Sequence, residues 1–149
     1  MRESNLDSTA GLAGHQIYPV LAPLPFACFA GAFVTDIVYW SAPDAMWETF
    51  SVWLITAGLV MAGFAALAGM IDFVSNISIR ALKPAWLHVL GNVLALLLSL
   101  INAFVHSRDG YTAVVPTGLV LSGFVVVILL FTAWMGSEMV YRHRVEAVN

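Results

Sequence analysis

Four long apolar stretches, at about residues 18–40, 50–72, 85–106 and 114–141, occupy most of this sequence. A helix that crosses about 30 Å of bilayer hydrocarbon needs roughly 20 apolar residues. Each stretch meets that length, so each is predicted to be a transmembrane helix. What remains is a polar N-terminal segment at 1–17, short links, and a short basic tail at 142–149, none of which is long enough to fold on its own.

The composition excludes several classes of protein. Of the 149 residues, 60% are apolar and only 10% are charged, whereas a soluble domain is about 25% charged. This argues against a soluble enzyme. The net charge of -3 and six scattered cations give no basic surface for nucleic acid. The single cysteine, Cys28, cannot form an intrachain disulfide and is expected to be a small buried side chain.

The links between the spans are short, which predicts an antiparallel four-helix bundle. Both termini then lie on the same side of the membrane as the second link. Most of the cations fall on that side: Arg2, Arg80, Lys83, Arg142 and Arg144. Only Arg108 lies opposite. The positive-inside rule therefore predicts that both termini are cytoplasmic, in a multi-pass protein of the bacterial inner membrane.

The third span carries a polar face along its whole length. His88 and His106 are 18 residues apart, which is about five whole helical turns, so the two rings share a face and lie about 27 Å apart. Asn92, Ser99 and Asn102 fall close to the same line. Such a face can hydrogen-bond neighbouring helices, line a path for protons or solutes, or supply axial ligands to haem.

The histidines favour the terminus side of the membrane as a haem site. His15, His88 and His143 all lie there, so His88 could pair with His143 or with His15 across an iron. His106 is alone on the far side. It could serve as a cofactor ligand only with a methionine or with another subunit.

Three carboxylates lie near span ends. Glu138 precedes Arg142 by four residues, the favourable order for a helical ion pair. Asp72 could meet Arg80 or Arg142 at the same level.

Asp36 lies about one turn inside the far end of the first span, and no cation lies within its own turn. An ionisable group at bilayer depth needs a partner or a function. Arg108 or His106, at the far end of the third span, could reach Asp36.

Several motifs, in order, resemble a known family. They are Gly-His-Gln-Ile-Tyr-Pro at 14–19, Gly-Met-Ile-Asp at 69–72, Trp-Leu-His at 86–88 and Trp-Met-Gly-Ser-Glu-Met-Val-Tyr-Arg-His at 134–143. Together with Asp36 and Asn92, this set resembles the bacterial membrane family catalogued as domain of unknown function 2231. The resemblance covers roughly residues 12 to 146.

The resemblance implies a four-helix inner-membrane protein. Relatives fused to Rieske iron–sulfur or cytochrome-like domains imply electron transfer and are compatible with haem b. His15, His88 and His143 match histidine positions that recur in the family. Many relatives have a further histidine where this chain has Tyr18, and a glycine pair where it has Gly136 and Ser137. If that further histidine is a haem ligand in those relatives, this chain is expected to hold fewer haems than they do, or none.

The leading hypothesis is a small membrane protein that binds haem b and passes electrons between quinone and a redox partner such as a Rieske or cytochrome c protein. Its iron ligands would be His88 and His143, with His15 as substitute. One alternative is a membrane scaffold or assembly subunit. Another is a proton-coupled small-solute transporter, which needs Asp36, Asn92 and Asn102 to face one cavity.

A stand-alone enzyme is not expected, because the sequence has no GxSxG, HExxH or P-loop motif. Besides membrane lipid, the partners left open are quinone, a redox protein and a second copy of the chain.

Overall fold

The computed structural model describes residues 11–12, 15–16, 21–75, 77, 81, 83–108 and 114–146, with side chains described between 21 and 137. Its helices are α1 (Pro23–Ser41), α2 (Ala45–Ser75), α3 (Lys83–His106) and α4 (Leu119–Glu146). Before α1, the described residues contain a two-residue antiparallel pair, β1 (Gly11–Leu12) and β2 (His15–Gln16). Four helices are long and apolar enough to cross a membrane, which confirms the predicted all-α membrane fold.

Pro23 and Asp44 determine where the first two helices begin. Pro23 opens α1, at a position where the missing N–H of proline costs no hydrogen bond. The link at 42–44 ends in Asp44, whose Oδ1 accepts the backbone N–H of Met46 at 2.8 Å. This N-cap starts α2 at Ala45, five residues before the apolar stretch that predicted the second span begins.

A kinked turn, Val114–Gly118, precedes α4. Val115 has extended backbone angles, φ −116° and ψ 127°, and the peptide bond to Pro116 is cis. The residue before a proline is sterically excluded from the helical region. The regular helix therefore begins only at Leu119, and the turn lies against the end of α3.

The four helices form a closed ring, in which α1 adjoins α2 and α4, and α3 adjoins α2 and α4. Between α1 and α2, Asp36 meets Ser51 and Phe29 meets Gly58. Residue numbers fall on one helix as they rise on the other, so these two helices run in opposite directions. Helices α1 and α3 lie across the diagonal of the ring.

An apolar layer fills the middle of the bundle. It consists of Phe29, Ala62 and Val125, with Leu59, Leu96, Leu98 and Leu129 packed against them. Small residues on α2 allow this packing, because a side-chain carbon at Gly58 would lie only 2.7 Å from Cε1 of Phe29. Large apolar side chains such as Trp53 and Leu67 point outward, which suits a surface in contact with lipid.

We expect Gly58→Ala to destabilise the bundle by about 1–3 kcal/mol, because the added methyl group overpacks the ring of Phe29. Gly63→Ala is the matched control, since nothing lies within 4 Å of a side-chain carbon built there. Both changes raise helix propensity equally. Equilibrium unfolding of the purified variants in mixed detergent micelles measures the difference. Equal stability of the two variants would contradict this packing.

Candidate functional site

The carboxylate of Asp36 is completely buried, at 0% exposure. Side chains of the three other helices form hydrogen bonds with it. Ser51 Oγ on α2 donates to Oδ1 at 2.5 Å, and Ser122 Oγ on α4 donates to Oδ2 at 2.5 Å. His106 Nε2 on α3 lies 3.0 Å from Oδ1. The same carboxylate thus joins all four helices.

Further polar side chains complete what we call the Asp36 cluster: Thr35, Asp36, Ser51, Asn102, His106 and Ser122. Thr35 Oγ1 lies 2.7 Å from Ser51 Oγ. Asn102 Nδ2 donates to Ser122 Oγ at 2.8 Å. The second ring nitrogen of His106, Nδ1, lies 3.0 Å from the backbone carbonyl oxygen of Asn102.

Gly118, in the turn before α4, sets the position of the His106 ring. A side-chain carbon at this residue would lie 2.6 Å from Cε1 of His106 and 3.2 Å from both ring nitrogens. Only glycine lets the backbone of the turn approach the imidazole this closely. The turn that Pro116 imposes on the chain therefore holds the ring against Asp36.

The cluster does not have the arrangement of a serine hydrolase. In that chemistry a histidine removes the proton of a serine hydroxyl. Here the single hydroxyl hydrogens of Ser51 and Ser122 are directed to the carboxylate, and His106 bonds to Asp36 and to a carbonyl group. The geometry therefore provides no activated nucleophile.

The apolar layer separates the Asp36 cluster from the polar residues at the other end of α3. Asn92 donates to the carbonyl of His88 on its own helix at 2.7 Å. Asn102 faces a gap lined by Phe29, Ile55 and Val125, among others, which is too narrow to admit a water molecule. Asp36, Asn92 and Asn102 therefore do not face one continuous cavity within the described residues, as the transporter alternative requires.

His88 forms a second polar site, at the opposite end of the bundle. Its Nδ1 lies 2.9 Å from the backbone carbonyl oxygen of Thr132 on α4. A side-chain carbon at Gly136 would lie 3.4 Å from Cε1 and 3.6 Å from Nδ1 of this ring. The edge of the imidazole that carries Cε1 and Nδ1 therefore faces α4.

Several predicted site residues fall where side chains are not described: those of His15, Glu138, Arg142 and His143, and all of Arg80. His15 lies in β2 and His143 in the last turns of α4. Asp72 is buried near the end of α2, but its predicted partners Arg80 and Arg142 lie outside the described side chains. The pairing of His88 with His143 or with His15 at a haem iron therefore stays a prediction.

For Asp36, the sequence offered His106 or Arg108 as partner, and the structure has His106 there. The sequence analysis did not single out Ser51, Ser122 or Thr132. Each lies in a predicted span that also contains other hydroxyl residues. Asp36 lies near the end of α1 and the link to α2 is short. A residue near the start of α2, such as Ser51, is therefore expected at the same depth in the membrane.

One family model matches nearly the whole chain. It is described as "Predicted membrane protein (DUF2231)" and covers residues 14–149. That range includes both polar sites and all four helices. No curated protein matches this chain. No solved structure matches it either.

We expect Asp36→Ala to cost about 3–5 kcal/mol of stability, because it leaves the buried His106, Ser51 and Ser122 without their common hydrogen-bond partner. Asp44→Ala is the control at an exposed carboxylate. It removes only the N-cap of α2 and should cost about 1 kcal/mol. Detergent unfolding of the two variants and the parent measures both costs. A cost for Asp36→Ala no larger than that of the control would show that the cluster does not hold the bundle together.

Proposed function

This chain belongs to the DUF2231 family of predicted membrane proteins, and we propose that it serves there as a haem b-binding electron carrier with His88 as an axial ligand. The proposal concerns the end of the bundle at which α3 begins. It rests on the hydrogen bond between His88 Nδ1 and the carbonyl oxygen of Thr132.

That hydrogen bond supports the ligand role because it selects a tautomer. The carbonyl oxygen of Thr132 can only accept, so Nδ1 of His88 carries the hydrogen. In the neutral ring the lone pair is then on Nε2, the nitrogen through which histidine commonly binds iron. Histidine ligands usually donate their other ring N–H to a carbonyl or carboxylate in this way, which fixes the ring and raises its basicity.

Gly136 on α4 lies close beside the ring of His88. Gly136 presents no side chain to the imidazole, and the edge that faces it carries Cε1 and Nδ1. Nε2 is not among the ring atoms within 4 Å of a side-chain carbon built at Gly136. His88 would hold the haem iron through Nε2, and the haem would supply one-electron redox chemistry.

The second ligand is proposed to be His143 or His15, both at the end of the bundle where α3 begins. His143 follows Gly136 by seven residues on α4, about 10 Å farther along the helix axis. His15 lies in β2, before α1. His106 is a poor ligand, because either of its nitrogens would have to give up a hydrogen bond to bind iron.

When bound, haem b supplies one-electron transfer at this end of the membrane. The residues of the chain hold the ring of His88 in one orientation and keep that end of α3 packed on α4. Quinone and a Rieske or cytochrome c protein are the donor and acceptor that we propose, and membrane lipid surrounds the bundle. A second copy of the chain is a further candidate partner.

A membrane scaffold or assembly subunit is the second candidate function. The Asp36 cluster favours it, because hydrogen bonds from three helices to one carboxylate fix the arrangement of all four. In that case the polar face of α3 has a structural role only, and exchanging the histidines would lower stability without abolishing activity.

We expect the protein, produced with added haem and purified in detergent, to show a Soret band and a reduced-minus-oxidised spectrum typical of haem b. His88→Ala should lose these bands because it removes the iron ligand. Asn92→Ala is the matched control, since Asn92 lies one turn away on α3 and bonds only to its own helix among the hydrogen bonds described. It should keep the full haem content.

A colourless parent protein would contradict the haem proposal, as would a His88→Ala variant with undiminished haem content. Variants His143→Ala and His15→Ala, measured alongside, identify the second ligand by their loss of absorbance. If the parent is colourless and the double variant His88→Ala, His143→Ala is merely less stable, the scaffold function is favoured.

A further inference from the structure

We propose that the contact between Asp36 and His106 is a binding site for one exchangeable proton, and that loss of this proton opens the end of the bundle at which α1 and α3 finish. The site lies at the other end of α3 from His88, and the inference does not depend on haem.

The argument begins with a count of hydrogens on the His106 ring. Nδ1 lies 3.0 Å from the carbonyl oxygen of Asn102, which can only accept, so Nδ1 carries a hydrogen. Nε2 lies 3.0 Å from Oδ1 of Asp36. A hydrogen bond at that distance needs one further hydrogen, on Nε2 or on the carboxyl group. In either form, the pair binds one proton and has no net charge.

Removing that proton changes the site in two ways. A carboxylate oxygen then faces the lone pair of Nε2, so attraction between the two atoms becomes repulsion. The pair also acquires a net negative charge where both side chains are 0% exposed. A buried charge without a compensating partner is costly. Ser51 and Ser122 still donate to the carboxylate, but the bond to α3 is lost.

The lost bond has a particular place in the fold. Helices α1 and α3 lie diagonally across the ring of four helices, and the contact between Asp36 and His106 joins them directly. His106 is the last residue of α3, and Ser107 after it is exposed. Asp36 lies five residues before the end of α1. Both residues lie close to the ends of their helices, so repulsion between Asp36 and His106 can move these two ends apart.

Two buried polar atoms, one beside the Asp36 cluster and one within it, would bind water if this end of the bundle opened. Ser99 Oγ and Asn102 Oδ1 have no hydrogen-bond partner among the described residues, and both residues line the gap that is too narrow for water. A buried polar atom without a partner costs about 1–3 kcal/mol. Water entering between separated helices would satisfy both atoms, which offsets part of the cost of opening.

Among the residues that the structure describes, few other titratable or charged side chains lie at this end. Glu48 on α2 is buried and interacts electrostatically with His106. Tyr39 follows Asp36 on α1, Asp44 lies in the link to α2, and Arg108 follows His106. The described side chains of α4 and its preceding turn, at 114–137, include no charged residue. The proton between Asp36 and His106 is therefore exchanged with water at this end of the bundle.

Spin labels at the ends of α1 and α3 test the proposal in the whole protein in lipid bilayers. Ser41→Cys and Ser107→Cys place the labels on exposed residues across the diagonal, in a Cys28→Ala background that removes the single native cysteine. We expect the distance between the labels to grow by several ångströms, reversibly, as the pH rises from mildly acidic to alkaline.

Asp36→Asn removes the exchangeable proton but keeps the bond, because the amide donates to Nε2 with a hydrogen that does not dissociate. The distance should then stay short at every pH. Asp44→Asn makes the same change at an exposed carboxylate and should open as the parent does. If Asp36→Asn does not fold, His106→Gln supplies the same kind of donor. A parent distance that does not change with pH, or an Asp36→Asn variant that opens like Asp44→Asn, overturns the proposal.

Discussion

The hydrogen bonds that converge on Asp36 are the interaction on which the arrangement of the bundle depends. Inserting a charged residue at the centre of a membrane helix costs about 2.5–3.5 kcal/mol. A hydrogen bond between membrane helices returns only about 0.6 kcal/mol on average. Three such bonds recover less than a charge costs at the helix centre, and Asp36 lies nearer the end of α1. We propose that a proton shared with His106 keeps the pair neutral and so lowers the cost of burying the carboxylate.

The two polar sites are physically independent because the apolar layer around Phe29 and Val125 separates them. His88 lies near the start of α3 and is held by a carbonyl group of α4. His106 lies at the end of the same helix and is held by a carboxylate of α1. Two histidines on one face of one helix thus have different partners. We propose that His88 binds iron through Nε2 and that His106 shares a proton with Asp36.

Much of the fold followed from the sequence, because the length of an apolar stretch is dictated by the bilayer. The polar face of α3 was also readable, since Ser99, Asn102 and His106 share a helical face and all are buried. The details of the Asp36 cluster were less accessible. Ser122 reaches Asp36 only because α4 lies beside α1, and Gly118 reaches His106 only because Pro116 distorts the preceding turn. Neither relation has a periodic signature in the sequence.

The central claim is that one proton lies between Asp36 and His106. Solid-state NMR of the ring nitrogens of His106 in lipid bilayers measures this most directly, with the resonances assigned by their loss in His106→Gln. We expect Nδ1 to be protonated and Nε2 to be hydrogen-bonded to Asp36, with the Nε2 resonance shifting in Asp36→Ala. An unprotonated Nδ1, or an Nε2 resonance that Asp36→Ala leaves unchanged, would contradict the claim.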